Sequence, residues 1–393
     1  MIEVTRDDLV GSREPRSLRR LTLEAMAASE REARLEYIRG HGSSQADRWL
    51  EFAKVNLVGP VVAHALLDAF GKDSSVADEC RALHDRSLNR MRVMLSELDG
   101  VAASLGREGI RMVALKNAGI ARGIFPCAGC CPMGDLDVLV DRDRFRDAHA
   151  LIIEQGFSLA TRGTVEAADL EEGEAHGGTE YVKQTAGEEV WFELQWRPIA
   201  GRWIRRDQEP VGAHLIARSV PIDGTEVRLL APEDNMLQVA LHTAKHTYVR
   251  APGLRLHTDV DRLTAFNPPN WANLAGMTEE LDVRTAVYFS LAFARALLGT
   301  PVPKDVLTRL APPWWKTQAI VRWLRAIDVF DPEASKFNRP EMMVFAAMLY
   351  DDAEGLLASA LDSQRSELTW RNAHRFLGRG FSRMKDIVTR YQA

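Results

Sequence analysis

Cysteine is scarce in this 393-residue chain: four thiols, three of them crowded at Cys127, Cys130 and Cys131, supply no disulfide framework for a protein of this length. Such usage predicts a reducing compartment and a fold held by its own core. Long apolar runs are also missing, since no stretch of 18 hydrophobic residues occurs, so the sequence offers no candidate membrane-spanning helix and predicts no membrane partner. The opening Met-Ile-Glu-Val-Thr-Arg-Asp-Asp lacks the basic-then-apolar order of a secretory signal, and a cytoplasmic location is expected. Charge of one sign is not in large excess: the net charge is −5, with Lys and Arg scattered along the chain. A polynucleotide is therefore not the expected partner, and a small-molecule or peptide substrate fits better.

What the chain does have is a change of period. Over 16–106 apolar residues recur at helical spacing, as in Trp49, Leu50, Phe52 and Ala53, with an interruption expected at the Gly-Ser-rich segment 40–44. Over 110–230 the pattern shortens to strands at 110–115, 135–140, 178–184, 189–196 and 226–230, interleaved with helices at 117–123 and 142–155. After Pro232 the helical period returns, with breaks at Pro268-Pro269 and Pro312-Pro313. The expected fold class is α+β: a helical region over 1–106, a small mixed-sheet core over 107–230, and a helical domain over 231–393. In that last domain Trp314, Trp315, Trp323 and Trp370 are expected in the core, or alternatively along an acceptor groove. Arg371, Arg375, Arg379, Arg383, Lys385 and Arg390 are expected on a solvated helical face.

The chemistry concentrates in Gly134-Asp135-Leu136-Asp137-Val138-Leu139-Val140, two carboxylates two residues apart at the mouth of an apolar strand. Strand side chains repeat every second residue, so Asp135 and Asp137 share a face with Cα atoms about 7 Å apart. Charges held so close repel unless a cation lies between them, and Mg²⁺ or Mn²⁺ favours such hard oxygen ligands. A third acidic ligand is needed, and Glu193, embedded in the apolar strand Val190-Trp191-Phe192-Glu193-Leu194-Gln195-Trp196, is the candidate. Glu193 could otherwise be half of an ion pair with Arg197 or Lys183, and Lys116 could be a plain surface residue at a strand end. Cys127-Ala128-Gly129-Cys130-Cys131 has the form of half a metal knuckle, but Cys80 is the only other thiol, and a loop of reduced cysteines is expected.

An ordered series of motifs carries a resemblance. Leu115-Lys116-Asn117-Ala118-Gly119, then Phe125-Pro126, then Pro132-Met133-Gly134-Asp135-Leu136-Asp137, then Gln155-Gly156-Phe157, resembles the bacterial uncharacterised nucleotidyltransferase family. Phe192-Glu193-Leu194-Gln195-Trp196 is similar to the acidic-Leu-His-Trp strand of that family, and Pro232-Glu233-Asp234 through His242 and His246 is similar to its Pro-Glu-Asp helix with paired histidines. The resemblance covers about residues 50 to 300 and implies a catalytic core of the DNA-polymerase-beta-like type. It implies a nucleoside triphosphate as co-substrate, Asp135, Asp137 and Glu193 as metal-binding and catalytic residues, and Lys116, Asn117 and Gly134 at the triphosphate. His242, Lys245 and His246, on one helical face, are expected either to close the far side of the nucleotide cleft or to serve in ordinary polar packing. Three positions depart from the family pattern: Asn117 for glycine, Cys131 for arginine and Gln195 for histidine. Two other readings stay open, a non-catalytic nucleotide- or peptide-binding protein and a toxin-like enzyme acting on RNA or protein.

Overall fold

In the computed structural model, which describes residues 3–10, 15–162, 169–199, 204–330, 339–354 and 357, six α-helices precede the first strand. They are α1 (Arg6–Val10), α2 (Arg16–Met26), α3 (Arg31–His41), α4 (Ala46–Val55), α5 (Gly59–Phe70) and α6 (Ala77–Arg107). Met91, Met94, Leu98, Val101 and Leu105 recur every three or four residues along α6, so one stripe of this long helix is buried. The interruption expected at 40–44 falls later, because α3 continues through Gly40 to His41 and the chain turns at Gly42. A single helical glycine costs only about 1 kcal/mol, and the stacking of Tyr37 on His41 reinforces this last turn.

Seven strands then form one mixed sheet among the described residues: β1 (Met112–Ala114), β2 (Asp135–Leu139), β3 (Ser158–Ala160), β4 (Gly178–Thr185), β5 (Glu188–Gln195), β6 (Val220–Pro221) and β7 (Val227–Leu229). Their spatial order is β3-β4-β5-β2-β1-β7-β6, with β2/β5 and β1/β7 parallel and the other pairs antiparallel. The five strands expected from the sequence are all present, and β3 and β6 are additions too short to show an alternating pattern. Connecting helices are α7 (Lys116–Gly123), α8 (Phe145–Glu154), α9 (Leu170–His176) and α10 (Gly212–Arg218). The helix expected over 142–155 is split, its first three residues forming a 3₁₀ turn.

Beyond the sheet lie α11 (Pro232–Lys245), α12 (Arg255–Phe266), α13 (Trp271–Glu280), α14 (Arg284–Leu298), α15 (Lys304–Leu310), α16 (Trp314–Ala326) and α17 (Arg339–Met348). The proline pairs fall between α12 and α13 and between α15 and α16, as their missing N–H groups require. Leading and trailing helices share one core. Buried Arg34 bonds both Glu24 and the Leu298 carbonyl at 2.6 Å, and fully buried Asp261 accepts from the Ala28 amide at 2.6 Å and from Thr300 at 2.7 Å. The expectation of core tryptophans is corrected at Trp314 and Trp315, which are 70% and 54% exposed. They occupy the first turn of α16, whose inward stripe is Ile320, Val321 and Leu324. Trp323 is partly buried and meets the Phe345 ring edge-on. Trp370 and the basic stretch from Arg371 to Arg390 lie outside the described residues.

Sheet alternation sets the two faces on which everything else rests. Leu136, Val138, Val190, Phe192 and Leu194 are wholly buried on the face that α6 and α8 cover, leaving Asp135, Asp137, Trp191, Glu193 and Gln195 on the other. Phe192→Ala should therefore lose about 3–5 kcal/mol, measured as a lowered urea midpoint. Trp191→Ala, one residue along and on the opposite face, should lose about 1 kcal/mol or less.

Candidate active site

Parallel pairing of β2 with β5 places Asp137 directly beside Glu193 and Asp135 beside Trp191. In-register neighbours point the same way, so the carboxylates of Asp135, Asp137 and Glu193 converge, each offering an oxygen within 4.8 Å of the others. Asp137 is the deepest at 4% exposed, while Asp135 and Glu193 are half-buried. Three hard oxygen donors on a rigid pair of strands fit a divalent cation such as Mg²⁺ or Mn²⁺. The alternative partners of Glu193 are engaged elsewhere: Arg197 pairs with Glu209, and Lys183 with Glu97 at 2.7 Å.

Positive charge already lies against this cluster. Lys116, the first residue of α7, sends Nζ to within 2.5 Å of Asp137 Oδ1 and is largely buried, so it is not a surface lysine. Its backbone sits in the left-handed region at φ 51°, so the strained residue of the turn is Lys116 and not Asn117. Arg162 donates to Asp135 Oδ2 at 2.5 Å, is tied to Glu180 at 2.8 Å and stands over the Trp191 ring. Gln195 Nε2 donates to Asp137 Oδ1 at 2.9 Å. Burial pushes the Asp137 carboxyl up to about 6 against the pull of Lys116, while Glu193 adds to the rise. Burial would lower the Lys116 ammonium, but the charges of Asp137 and Glu193 outweigh it and hold its pKa above the usual lysine range.

Opposite the sheet, α11 forms the far wall of a narrow cleft lined by Lys116, Glu193, Gln195, Gln238, His242 and Lys245. His246 lies one turn beyond His242, their ring centroids 4.7 Å apart, and its Nδ1 is 2.8 Å from the Ala251 carbonyl oxygen. Desolvation drives the His242 pKa well below the histidine range, and desolvation followed by the nearby Lys245 charge brings His246 down to about 4. Both rings are neutral near pH 7, which leaves Lys116 and Lys245 as the lysines of this cleft, and burial followed by the Lys116 charge lowers Lys245 below the usual lysine range.

The loop between α7 and β2 carries Gly134 and is tied to α12. Arg255 bonds the Pro132 carbonyl, Arg262 bonds the Cys130 carbonyl at 2.8 Å, and both face buried Cys131. Asn117 lines a small neighbouring hollow with these two arginines, and its buried Oδ1 has no hydrogen-bond partner among the described residues. Arg162, Arg255 and Arg262 escape the sequence reading because each reaches its partner from a segment distant in the chain, so that no local spacing brings them together. A family model described as "Uncharacterised nucleotidyltransferase" matches residues 42–299, whereas no curated protein and no solved structure matches the chain.

The two depressed histidines give the folded protein a defined acid response. Between pH 6.5 and about 4 the unfolded chain takes up a proton at position 246 that the folded chain refuses, so the His246 contribution to stability falls as pH drops through this window, whereas Asp137, raised to about 6, contributes the opposite slope. The histidine ring resonances in an NMR titration should place His246 near pH 4, with His242 also titrating well below the usual histidine range. A normal histidine midpoint at either position would contradict the burial described.

Proposed function

Because this chain belongs to the uncharacterised nucleotidyltransferase family, we infer that it transfers a nucleotidyl group from a nucleoside triphosphate to a hydroxyl or similar group on a small-molecule or peptide acceptor in specialised biosynthesis. The observation that carries this reading is the convergence of Asp135, Asp137 and Glu193 on one sheet face above a cleft walled by α11. Asp135, Asp137 and Glu193 would hold a divalent ion, which when bound would supply positive charge to neutralise phosphate oxygens and lower the pKa of the attacking group. The acceptor oxygen forms its bond to the α-phosphorus as the bond to pyrophosphate breaks, and the acceptor proton passes to the carboxylate of Glu193.

The remaining residues bind and orient. Lys116, whose ammonium lies against Asp137 at the cleft, would offer its charge to the triphosphate, and the first amides of α7 at Lys116 and Asn117 would add the positive end of a helix dipole. Gly134, with open space around its Cα, leaves room for a phosphate beside Asp135. Gln195 replaces the family histidine without losing the hydrogen bond to Asp137. Arg255 and Arg262, reaching the loop from α12, supply the positive charge that Cys131 lacks. His242, Lys245 and His246 close the far side, with Lys245 the charged member toward phosphate.

Binding and turnover can be tested separately. A nucleoside triphosphate at about a hundred times its Kd should raise stability by about 2.7 kcal/mol in a thermal-shift assay, but only with Mg²⁺ or Mn²⁺ present, and Asp137→Ala should abolish the shift. With candidate acceptors, mass spectrometry should detect the mass of one nucleotidyl group. Asp135→Ala or Asp137→Ala should slow its appearance about 10²- to 10³-fold. Mn²⁺ affinity should fall by up to about tenfold per unit as pH drops below about 6, because a proton then competes for Asp137. Stabilisation that is independent of both cation and Asp137 would defeat the reading.

A further inference from the structure

The structure brings a second cluster of metal-binding side chains together about the loop that leads into β2. Cys127 and Cys130 flank a 3₁₀ turn, in which side chains three residues apart eclipse, and their Cα atoms are 5.3 Å apart. The sequence led us to expect a loop of reduced, unconnected cysteines; in the structure these two sulfurs are paired as a disulfide, while Cys80 and Cys131 are free and buried. Two histidines converge on the same point, which a disulfide does not require. His64 comes from α5 and His84 from α6, their rings stacked with centroids 4.9 Å apart. Nε2 of His84 stands 3.4 Å from Sγ of Cys127 and 4.0 Å from Sγ of Cys130.

We propose that His64, His84, Cys127 and Cys130 form a structural Zn²⁺ site. One donor atom from each lies within 4.8 Å of the others; tetrahedral zinc with bonds of about 2.0–2.3 Å needs its donors about 3.5 Å apart, so small side-chain movements close the set. The Cys-x-x-Cys spacing supplies half of a zinc site, and the two histidines supply the half missing from the cysteine pattern. Two thiolates and two imidazoles favour zinc over the hard cations suited to Asp135, Asp137 and Glu193. A thiol or phosphine reductant that supplies two electrons, with two protons taken up, opens the disulfide to the dithiol, from which zinc binding releases the two thiol protons and leaves a centre of zero net charge. Four protein ligands fill the tetrahedron, so the role is structural rather than catalytic.

The surroundings fit that assignment. Asp85 Oδ1 lies 3.8 Å from Nδ1 of His84, the nitrogen turned away from the sulfurs, and Asp68 Oδ2 lies 3.6 Å from Nε2 of His64. Carboxylates beside ligand imidazoles fix ring orientation and raise ligand basicity. The loop is pressed onto α6 at Gly129, where a Cβ would come within 2.9 Å of His84 Nε2, and Ser87 bonds the Gly129 carbonyl at 2.7 Å. An ion here fastens α5 and α6 to the loop that delivers Gly134, Asp135 and Asp137.

The test uses the full chain purified in a phosphine reductant without chelator. Elemental analysis should find about one zinc per chain, and Co²⁺ exchanged for it should give the visible bands of a tetrahedral ion with sulfur-to-metal charge transfer. Cys127→Ser should remove the charge-transfer band, His84→Ala and His64→Ala should each shift the visible bands, and Asp137→Asn should leave metal content and spectrum unchanged. That last arm separates this site from the proposed catalytic centre. Because the cobalt spectrum is read on the unmutated chain, a variant that fails to fold does not remove the test. No bound zinc and no cobalt spectrum in the reduced protein, with only two thiols titrating in unreduced, unfolded chain, would overturn the proposal in favour of a plain disulfide. A cobalt spectrum indifferent to both histidine variants would also overturn it.

Discussion

Mutual repulsion among Asp135, Asp137 and Glu193 is the constraint around which the cleft is arranged. Two unit charges at about 4–5 Å repel by about 3–4 kcal/mol in an effective dielectric of 20, and burial of Asp137 adds a desolvation cost. The protein offsets this with Lys116 on Asp137, Arg162 on Asp135 and the Gln195 amide. Three positively polarised groups thus converge on the three-carboxylate cluster, and the acidic face is held together by these side-chain contacts. Lys116 is the hinge of this arrangement, since it touches both the carboxylates and the cleft.

The convergence itself follows from strand pairing. Parallel neighbours cannot be joined by a hairpin, so the chain leaves β2, crosses through α8, β3, α9 and β4, and returns along β5. That excursion sets the register in which Asp137 meets Glu193, and a slip of one residue would turn Glu193 into the core and Phe192 into the cleft. The apolar residues Val190, Phe192 and Leu194 thus guard the position of the acidic one by being buried under α6 and α8. Core packing and site geometry are two consequences of one alternation.

The loop between α7 and β2 is held from two sides. Arg255 and Arg262 reach its carbonyls from α12, and the Cys127–Cys130 turn is pressed onto α6 beside His84. In both places the helical regions flanking the sheet act on the strand that bears the carboxylates. The arginines also place positive charge beside buried Cys131.

Much of this was readable from local pattern. The two-residue repeat of Asp135 and Asp137, the helical spacing of α6, the proline breaks and the shared face of His242 and His246 all depend on neighbours within a few positions, and backbone geometry converts such spacings directly into faces. The short β3 and β6 and the α3 turn at Gly42 were not legible, because so few residues carry no periodic signal. Other features belong to the tertiary structure alone: Glu193 beside Asp137, Arg162 on Asp135, the α12 arginines on the loop, and His64 with His84 against two cysteines more than forty residues away. Sequence determined which groups carry the chemistry and which face of each element they share; only the packed fold decided which distant groups meet, because strand register and helix docking are set by burial of the whole core and not by any single segment.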